Sequence, residues 1–377
     1  MSSKNFFRSS LQIDWILLLA VFPILGAGLI TMKSFTGESV LFDKQLISIG
    51  VALVVFFACS FVDWRFLRRT DVLVVLFGTS VFVLAGLLLL GRVVKGAQSW
   101  LSFGAFSFQP SDPIKLVLIL ILAKYFSRRH IEIAHIRHII VSGIYAFILF
   151  MLVLLEPDFG TAIVLFLLWI GMLLLSGISK KHLGLVALVG ALAFALLWSF
   201  GFKEYQKQRV LTFLHPLTDV RGSGYNAYQS TIAVGSGEWF GKGVGYGTQS
   251  RLKFLPEYET DFIFASFAEE WGFVGVMLLL GLYGVVLWRV LETAIAGATN
   301  FEILFGLGVA VLLMSHLVLH IGINIGVLPV TGTTIPFMSY GGTHLLTEFA
   351  GLGILMGMRR YSRAAHKDMT KNELLGV

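Results

Sequence analysis

The stretch DWILLLAVFPILGAGLITMK, residues 14–33, decides the fold class. A helix needs about 20 mainly apolar residues to cross the hydrocarbon core of a bilayer, and only Asp14 and Lys33 are charged in this run. Lys4 and Arg8 precede it and no small-residue cleavage site follows it. We therefore expect a retained membrane helix and not a removed signal peptide.

The composition of the whole chain agrees with that first run. Of the 377 residues, 56% are hydrophobic and 14% are charged, and the mean hydropathy is +0.82. A water-soluble domain needs more charge on its surface, whereas a bilayer accepts this much apolar area. The net charge of +7 does not indicate nucleic acid, because membrane proteins collect Lys and Arg in cytoplasmic loops. The single cysteine, Cys59, excludes an intramolecular disulfide.

Apolar runs recur along the chain and predict an all-α, polytopic membrane protein with about ten transmembrane helices in one domain, 1–377. An even number places both termini on one side. Short segments on that side carry 17 of the 29 basic residues and those on the other side carry four, so the positive-inside rule places both termini of this inner-membrane protein in the cytoplasm. Residues 361–377 form a short basic tail. The runs are 14–33, 45–62, 72–91, 113–126, 138–156, 160–178, 182–201, 272–291, 301–322 and 343–360.

Three segments on the outer side do not have the pattern of plain loops. Residues 92–112 are semi-polar and aromatic, 202–261 form a long extracytoplasmic loop between helices 7 and 8, and 323–342 are apolar but broken by proline and glycine. Irregular backbone survives at membrane depth only where protein or a water-filled cavity supplies hydrogen bonds. We therefore predict re-entrant segments around one outward-facing cavity.

The first polar cluster is QPSD, residues 109–112, followed by Lys115. Asp112 and Lys115 are three residues apart, so they share a helix face and can form an ion pair. Ser111 or Asp112 can also be the N-cap of the helix. From the local pattern alone, a cap with a structural ion pair is the favoured interpretation.

The second cluster is EPDFGT, residues 156–161, a tight turn between two apolar runs. Glu156 and Asp158 place two carboxylates at the membrane surface, where they can bind a metal ion or a cationic group. A turn in which Asp158 caps the next helix is at least as good an explanation.

The third cluster ends the long loop. Glu257 precedes Asp261, which lies where the chain re-enters an apolar segment, and an N-cap is the simplest role for Asp261. Asp261 and Glu269 are eight residues apart and so fall near one helix face. Two acids on an apolar face are hard to explain as water-exposed surface.

Two glycine-containing segments complete the set. Residues 328–342 contain hydroxyl groups, including that of Ser339, and flexible backbone that can line a cavity. Residues 235–247 resemble a phosphate-binding loop, but Gly243 follows Lys242 where a Walker A loop has Ser or Thr. The alternatives are an anion nest for a pyrophosphate and a merely flexible loop.

Three classes of function fit an outward cavity with several acids: an enzyme acting on a lipid-anchored polar substrate, a transporter or flippase, and a membrane scaffold. A transporter needs polar groups that are accessible from both sides and often has paired repeats. Here the polar residues collect toward one side and no internal repeat is evident, which favours the enzyme.

The ordered motifs resemble those of the SEDS family of membrane glycosyltransferases over nearly the whole chain. The stretch from Gly247 to Ser250 that continues into FLPE at 254–257 is more similar to the elongation branch (RodA) than to the division branch (FtsW). The motifs are Gly96-Ala97 with Trp100, Gln109-Pro110-Ser111, Glu156-Pro157-Asp158 with Gly160-Thr161, Gln229-Ser230, Gly241-Lys242-Gly243, Gly247-Thr248-Gln249-Ser250, Phe254-Leu255-Pro256-Glu257, Thr260-Asp261-Phe262-Ile263-Phe264, Glu269-Glu270 and 326–342.

The resemblance implies a glycan polymerase that transfers the disaccharide-pentapeptide of lipid II to a growing glycan strand, with inversion to a β-1,4 linkage. It implies that Asp261 is the catalytic base and that Lys115, with Asp112, organises the cavity or meets the diphosphate. A divalent cation, Mg or Mn, is an expected cofactor, with Glu156 and Asp158 as candidate ligands. The remaining candidate substrate-binding residues are Gln109, Asp158, Lys242, Glu257 and Ser339.

The resemblance also implies partners. These are lipid II and the nascent strand, a class B penicillin-binding protein, the elongation proteins MreC and MreD, and membrane lipids, with no nucleic acid. Lipid II flipping is the alternative function.

Overall fold

The computed structural model describes residues 13–34, 40–90, 92–94, 97–103, 106–128, 136–201, 207, 210–213, 223–252 and 254–375. The helices are α1 (Trp15–Lys33), α2 (Val40–Phe61), α3 (Thr70–Leu90), α4 (Ser111–Ser127), α5 (Ile136–Leu155), α6 (Phe159–Leu175), α7 (Lys180–Leu196), α8 (Ser223–Ser236), α9 (Thr248–Arg251), α10 (Ile263–Ile295), α11 (Asn300–Asn324) and α12 (Gly342–Leu375). A 3₁₀ turn (Trp64–Arg68) joins α2 to α3, and a π-helical turn (Leu197–Gly201) extends α7.

A helix lies at each of the ten predicted apolar runs, and this confirms an α-helical, polytopic membrane protein. Within the described part of the chain, seven helices are long and apolar enough to cross a membrane: α1, α2, α3, α5, α7 with its extension, α10 and α11. Helix α6 is apolar but shorter. The total of ten spans stays a prediction.

Two elements differ from what the apolar runs predict. Helix α10 starts at Ile263, nine residues before the predicted run at 272. The predicted basic tail continues α12, whose backbone is helical to Leu375. Of the predicted long loop 202–261, the described part holds the two helices α8 and α9.

The segment after α3 forms a small antiparallel sheet, which the sequence did not predict. Its strands are β1 (Arg92–Val94), β2 (Ala97–Phe103) and β3 (Phe106–Phe108), in the order β1-β2-β3. Strand β3 meets the start of α12, where the Thr343 hydroxyl donates to the Ser107 carbonyl at 3.3 Å. The backbone N–H of Gln109 donates to the same hydroxyl at 3.2 Å. The sheet therefore positions the start of α4 beside α12.

Helix α11 lies at the centre of the bundle and most of its residues are buried, whereas no residue of α7 is. Two glycines of α11 permit its close packing. A Cβ at Gly306 would lie 2.5 Å from the Ala294 Cβ, and a Cβ at Gly308 would lie 2.4 Å from a methyl group of Ile119. Small residues let membrane helices approach closely, so α11 can contact both α10 and α4.

Candidate active site

The ion pair predicted from the 109–115 cluster is confirmed. Lys115 Nζ lies 2.8 Å from Asp112 Oδ1, and the two side chains are 3% and 5% exposed. The predicted cap by Ser111 or Asp112 is wrong, because the N-cap position is Pro110 and no side chain caps the helix there. The Asp112 carboxylate instead pairs with Lys115.

Three further buried ionisable side chains extend this pair, and sequence reasoning missed all of them. Lys115 Nζ lies 3.3 Å from His316 Nε2, and the rings of His316 and His344 are 4.4 Å apart. His344 Nδ1 lies 3.7 Å from Asp112 Oδ1, and its Nε2 lies 2.9 Å from Glu348 Oε1. The available signal was their position within apolar runs, where ionisable residues are costly.

Polar residues of α11 bind the backbone of the irregular segment before α12. His316 Nδ1 lies 3.2 Å from the Thr334 carbonyl, and His320 Nδ1 lies 2.7 Å from the Thr333 carbonyl. Asn324 follows at the same four-residue spacing, so the three side chains share one helix face. This face fixes the segment 331–334 against the bundle.

Asp261 lies beside that segment, at the start of α10. The N-cap explanation is wrong, since the N-cap is Phe262 and α10 begins one residue later. Asn324 Nδ2 donates to the Asp261 carbonyl at 3.0 Å, and Asn324 Oδ1 accepts from the Ala265 N–H at 3.0 Å. A Cβ at Gly332 would lie 3.5 Å from Asp261 Oδ2. The buried Asn324 amide therefore fixes the backbone at Asp261 and at Ala265. The partly exposed carboxylate of Asp261 faces Gly332.

Ser339 holds the same region together from the other side. Its hydroxyl donates to the Thr260 carbonyl at 2.9 Å and accepts from the Ile335 N–H at 3.0 Å. The Gln45 side chain donates to the Ser339 carbonyl at 3.1 Å. Ser339 is buried, so these contacts support a role in positioning the backbone next to Asp261 in place of the predicted direct contact with substrate.

Asp158 caps α6, as one of the two interpretations of its turn predicted. Asp158 Oδ1 accepts from the Thr161 N–H at 3.0 Å, and Oδ2 accepts from Gln109 Nε2 at 2.8 Å. Burial raises the pKa of the Asp158 carboxyl, and the Thr161 hydrogen bond offsets part of that rise. A Cβ at Gly160 would lie 2.8 Å from the Thr331 carbonyl. The structure therefore brings Gln109, Asp158 and the 331–334 segment together.

The carboxyl group of Glu156, two residues earlier, lacks the hydrogen bonds that Asp158 has. Its side chain is fully buried, and neither carboxyl oxygen has a hydrogen-bond partner among the described residues. Burial, together with the nearby charge of Asp158, raises the pKa of the Glu156 carboxyl to about 8. At neutral pH this carboxyl is therefore mostly protonated.

The fit of a divalent cation to this turn is partial. Glu156 has two free oxygens, whereas both oxygens of Asp158 already accept hydrogen bonds. No group of three or more His, Cys, Asp or Glu side chains is arranged to hold a metal in the described ranges. Mg²⁺ is commonly held by one or two carboxylates, with substrate phosphates and water as the other ligands. The turn fits that kind of site and not a cage made by protein alone.

The glycine loop does not offer the anion nest that was one of its two interpretations, because the chain's own carboxylates accept from its N–H groups. Lys242 Nζ lies 2.7 Å from Glu269 Oε1, which also accepts from the Gln249 N–H at 3.1 Å. The Gly245 N–H donates to Glu270 Oε1 at 2.6 Å. The predicted role of Lys242 in substrate binding loses its main support, since the lysine neutralises Glu269. Glu269 therefore has its partners in the loop and does not form a pair with Asp261.

Glu257 lies at an exposed turn just before Asp261. Its φ of 53° is in the left-handed region, and its carbonyl accepts from the N–H groups of Thr260 and Phe262, both at 3.1 Å. Its carboxylate accepts from the Thr260 hydroxyl at 3.0 Å. This turn presents an accessible acid four residues from Asp261.

These groups define a class of protein: a polytopic membrane protein with an acid–base site at one end of its bundle. The site combines a partly exposed carboxylate, Asp261, with a buried cation, Lys115. It is built from the turn 156–158, the turn 257–262, the segment 331–339 and the helices α4, α10, α11 and α12. Such a site can accept a proton from a bound hydroxyl group and stabilise negative charge.

The chain belongs to the FtsW/RodA/SpoVE family, whose model is described as cell cycle protein and matches residues 9–364. Peptidoglycan glycosyltransferase MrdB of Escherichia coli K12 is 33% identical over 97% of this chain and 99% of its own length. Stage V sporulation protein E of Bacillus subtilis is 34% identical over 93% of this chain and 98% of its own length. These matches confirm the family resemblance that the motifs predict.

Solved structures with the same fold are also similar in sequence. A chain of a peptidoglycan synthase complex, described as coordinating polymerization and crosslinking, has a TM-score of 0.78 and 32% identity, with 93% of this chain and 98% of that chain covered. The rod shape determining protein RodA of Thermus thermophilus has a TM-score of 0.69 and 32% identity, with 92% and 96% covered. The likeness to RodA supports the elongation branch.

Proposed function

We propose that this protein is a peptidoglycan glycosyltransferase of the elongation branch. It transfers the disaccharide-pentapeptide of lipid II to a growing glycan strand on the outer face of the membrane. The observation that carries the proposal is the environment of Asp261, a partly exposed carboxylate whose backbone is fixed by the buried Asn324. The names of similar proteins, such as peptidoglycan glycosyltransferase MrdB, support the choice of reaction.

The reaction is a single displacement at the anomeric carbon of the donor sugar. The bond from that carbon to the pyrophosphate oxygen breaks as the bond to the acceptor hydroxyl oxygen forms, so the configuration inverts. The acceptor hydroxyl loses its proton to the Asp261 carboxylate, and the pyrophosphate leaves with the bonding electron pair. General base catalysis of this kind contributes about 10²–10⁴-fold to the rate.

Lys115 links α4 to α11 through its contacts with Asp112 and His316. Its side chain is 3% exposed and is paired with Asp112, so it acts mainly by organising α4 and α11 around the cavity. Lys115 is therefore a positioning residue in this proposal.

A divalent cation, Mg²⁺ or Mn²⁺, is the proposed cofactor. Glu156 and Asp158 would hold it, and substrate oxygens would complete its ligands. When bound, such a cation supplies positive charge for the leaving pyrophosphate. Glu156 must then give up its proton, so binding of the cation becomes weaker as the pH falls below about 8.

The proposed partners are a class B penicillin-binding protein, which crosslinks the strands, and the elongation proteins MreC and MreD. The similarity to a chain from a peptidoglycan synthase complex supports the first of these. The proposed location is the bacterial inner membrane with both termini in the cytoplasm, as the distribution of Lys and Arg indicates. Exposed apolar side chains along α7 and α10 offer contact with membrane lipids, including the polyprenyl tail of lipid II.

The decisive test compares Asp261→Asn with the native chain in proteoliposomes containing labelled lipid II. We expect polymer formation to fall by about 10²–10⁴-fold, because the amide cannot accept the proton. Asp71→Asn is the matched control, since Asp71 is an exposed acid paired with Arg69 at 2.6 Å and far from this site in the fold.

Full polymer synthesis by Asp261→Asn would contradict the proposed role of this carboxylate. The same vesicles report lipid II translocation. Translocation that survives Asp261→Asn, with no polymer from the native chain, would instead support the alternative function of a flippase.

A further inference from the structure

Helix α10 is broken at Gly272, and residues 237–243 of the glycine turn 237–247 are inserted at the break. Gly272 has φ 65° and ψ −170°, which only glycine adopts without strain. A Cβ at Gly272 would lie 2.2 Å from the Gly241 nitrogen, and a Cβ at Gly241 would lie 2.1 Å from the Glu270 carbonyl oxygen. The two backbones therefore cross in direct contact.

The inserted turn satisfies the backbone groups that the break sets free. Two of its N–H groups cap the carbonyl end of the first half-helix, 263–271, and two of its carbonyls accept from the amide end of the second, 273–295. The four bonds are Lys242 N to Glu269 O (2.9 Å), Gly243 N to Glu270 O (3.0 Å), Phe273 N to Glu238 O (2.8 Å) and Val274 N to Trp239 O (3.0 Å). These backbone groups need no water, so the turn can lie at membrane depth.

The outward surface of the turn is unusually aromatic. Trp239, Phe240 and Tyr246 are 66%, 82% and 67% exposed. The Trp239 ring packs edge-on against Phe273, with centroids 5.3 Å apart. Three large aromatic side chains on one short turn would be a costly surface in contact with water.

Two helices indicate where the turn lies relative to a membrane. Phe273 begins the exposed apolar face of α10, which continues through Met277 and Leu278. On its other side, a Cβ at Gly245 would lie 3.2 Å from the carbonyl oxygen of Ser34, the residue that follows α1. The turn is therefore level with the ends of two predicted spans, where the hydrocarbon core meets the headgroup layer.

We propose that the turn 237–247 is a membrane-interface anchor, in which Trp239, Phe240 and Tyr246 insert into the headgroup region of the surrounding phospholipid. Trp and Tyr are enriched at this depth because their rings are apolar and their N–H or O–H groups are polar. The aromatic surface is continuous with the exposed apolar face of α10, a helix long and apolar enough to cross a membrane, and this favours lipid over a protein partner. This proposal does not depend on the reaction that the protein catalyses.

The test measures the depth of a nitroxide label on the full chain in phospholipid nanodiscs. The single cysteine, Cys59, is first changed to serine, and the label is attached at Phe240→Cys. Arg251→Cys, an exposed charged position of α9, is the water reference, and Leu278→Cys, on the exposed face of α10, is the lipid reference. Relaxation by oxygen, which concentrates in lipid, is compared with relaxation by a water-soluble nickel complex.

We expect the ratio of oxygen to nickel accessibility at Phe240 to exceed that at Arg251 several-fold and to fall below that at Leu278. A ratio equal to that at Arg251 would overturn the proposal and favour a water-exposed surface for a protein partner. Low accessibility to both reagents would overturn it as well, since it would indicate cover by protein. Tyr246→Cys gives a second label position if Phe240→Cys does not yield a monodisperse protein.

Discussion

Both ends of α10 lie near buried charged side chains, but they differ in backbone regularity and in how many buried polar atoms have a partner. At the far end, Arg289 lies 2.6 Å from Asp14 and 2.5 Å from Glu292, and Arg359 lies 3.5 Å from Asp14. Asp14 also caps α1 by accepting from the Leu17 N–H at 3.1 Å. Each of these four charged side chains therefore lies close to an opposite charge.

At the Asp261 end, buried charges are also paired, as Asp112 is with Lys115, but the backbone is irregular. Several buried side-chain atoms near it have no hydrogen-bond partner in the described part of the chain, namely both oxygens of Glu156, the hydroxyls of Thr331 and Thr333, and Nε2 of His320. An unsatisfied buried polar group costs about 1–3 kcal/mol. The irregular end therefore contains buried polar groups that the fold leaves unsatisfied, beside the charges that it pairs.

The largest expected effect comes from removing Lys115. Lys115→Met leaves Asp112 without its closest opposite charge, and breaking a buried pair in this way costs about 3–5 kcal/mol. We expect a strongly lowered thermal unfolding temperature in detergent and loss of polymer synthesis. The double variant Asp112→Asn with Lys115→Met removes both charges and should recover part of the stability but not the activity. If Lys115→Met had native stability, the buried pair at the Asp261 end would not contribute to the fold as we expect.

The next effect concerns the pH dependence of stability. The folded-state pKa of Glu156 is raised from 4.5 to about 8, so the folded protein binds this proton more tightly than the unfolded chain. The stability it provides is therefore complete below about pH 4.5 and is lost as the pH rises through about 8. Glu156→Gln removes this dependence. Thermal unfolding at about pH 5 and about pH 9 should show a smaller decrease for the variant; equal decreases would contradict the assignment.

The smallest effect is expected at the far end of α10. Arg289→Met removes the main partner of Asp14, but Arg359 remains at 3.5 Å, so we expect a loss of about 1–3 kcal/mol. The rate of polymer synthesis per folded molecule should stay unchanged. Arg289→Lys keeps the charge and should recover part of the stability. A fall in the rate per folded molecule would show that the two ends are coupled.

Much of the fold could be predicted from the sequence, because it depends on local patterns. Long apolar runs located the helices, the three-residue spacing located the pair of Asp112 and Lys115, and the turn at 156–161 located the Asp158 cap. Such features depend on residues within one or two helical turns of each other. The same patterns misplaced the start of α10, because the apolar run begins at 272 and the helix already begins at Ile263. Asp261 has the features of an N-cap, but the N-cap is Phe262.

The rest of the site depends on contacts between distant parts of the chain. His316 and His344 approach Lys115 and Asp112 only because α11 and α12 pack beside α4. Asn324 lies in the segment 323–342 that the sequence predicted to be irregular, and its side chain fixes the backbone of a residue 63 positions away. The role of the glycine loop stayed open for a related reason: a glycine pattern permits an anion nest, a flexible loop or a close backbone crossing, and only the packed structure distinguishes them.

The break at Gly272 also sets the distance between the aromatic turn and Asp261. The half-helix 263–271 stands on the anchored turn, and nine residues at about 1.5 Å each raise its start by about 14 Å. The headgroup layer on one side of a bilayer is only about 5–8 Å thick. On the proposed function and the proposed anchor, a half-helix along the membrane normal would place Asp261 beyond the phosphates of the bulk lipids, at the height at which a sugar joined through pyrophosphate meets water. At that height the site would act on the sugar of one rare lipid and not on the headgroups of the many common ones.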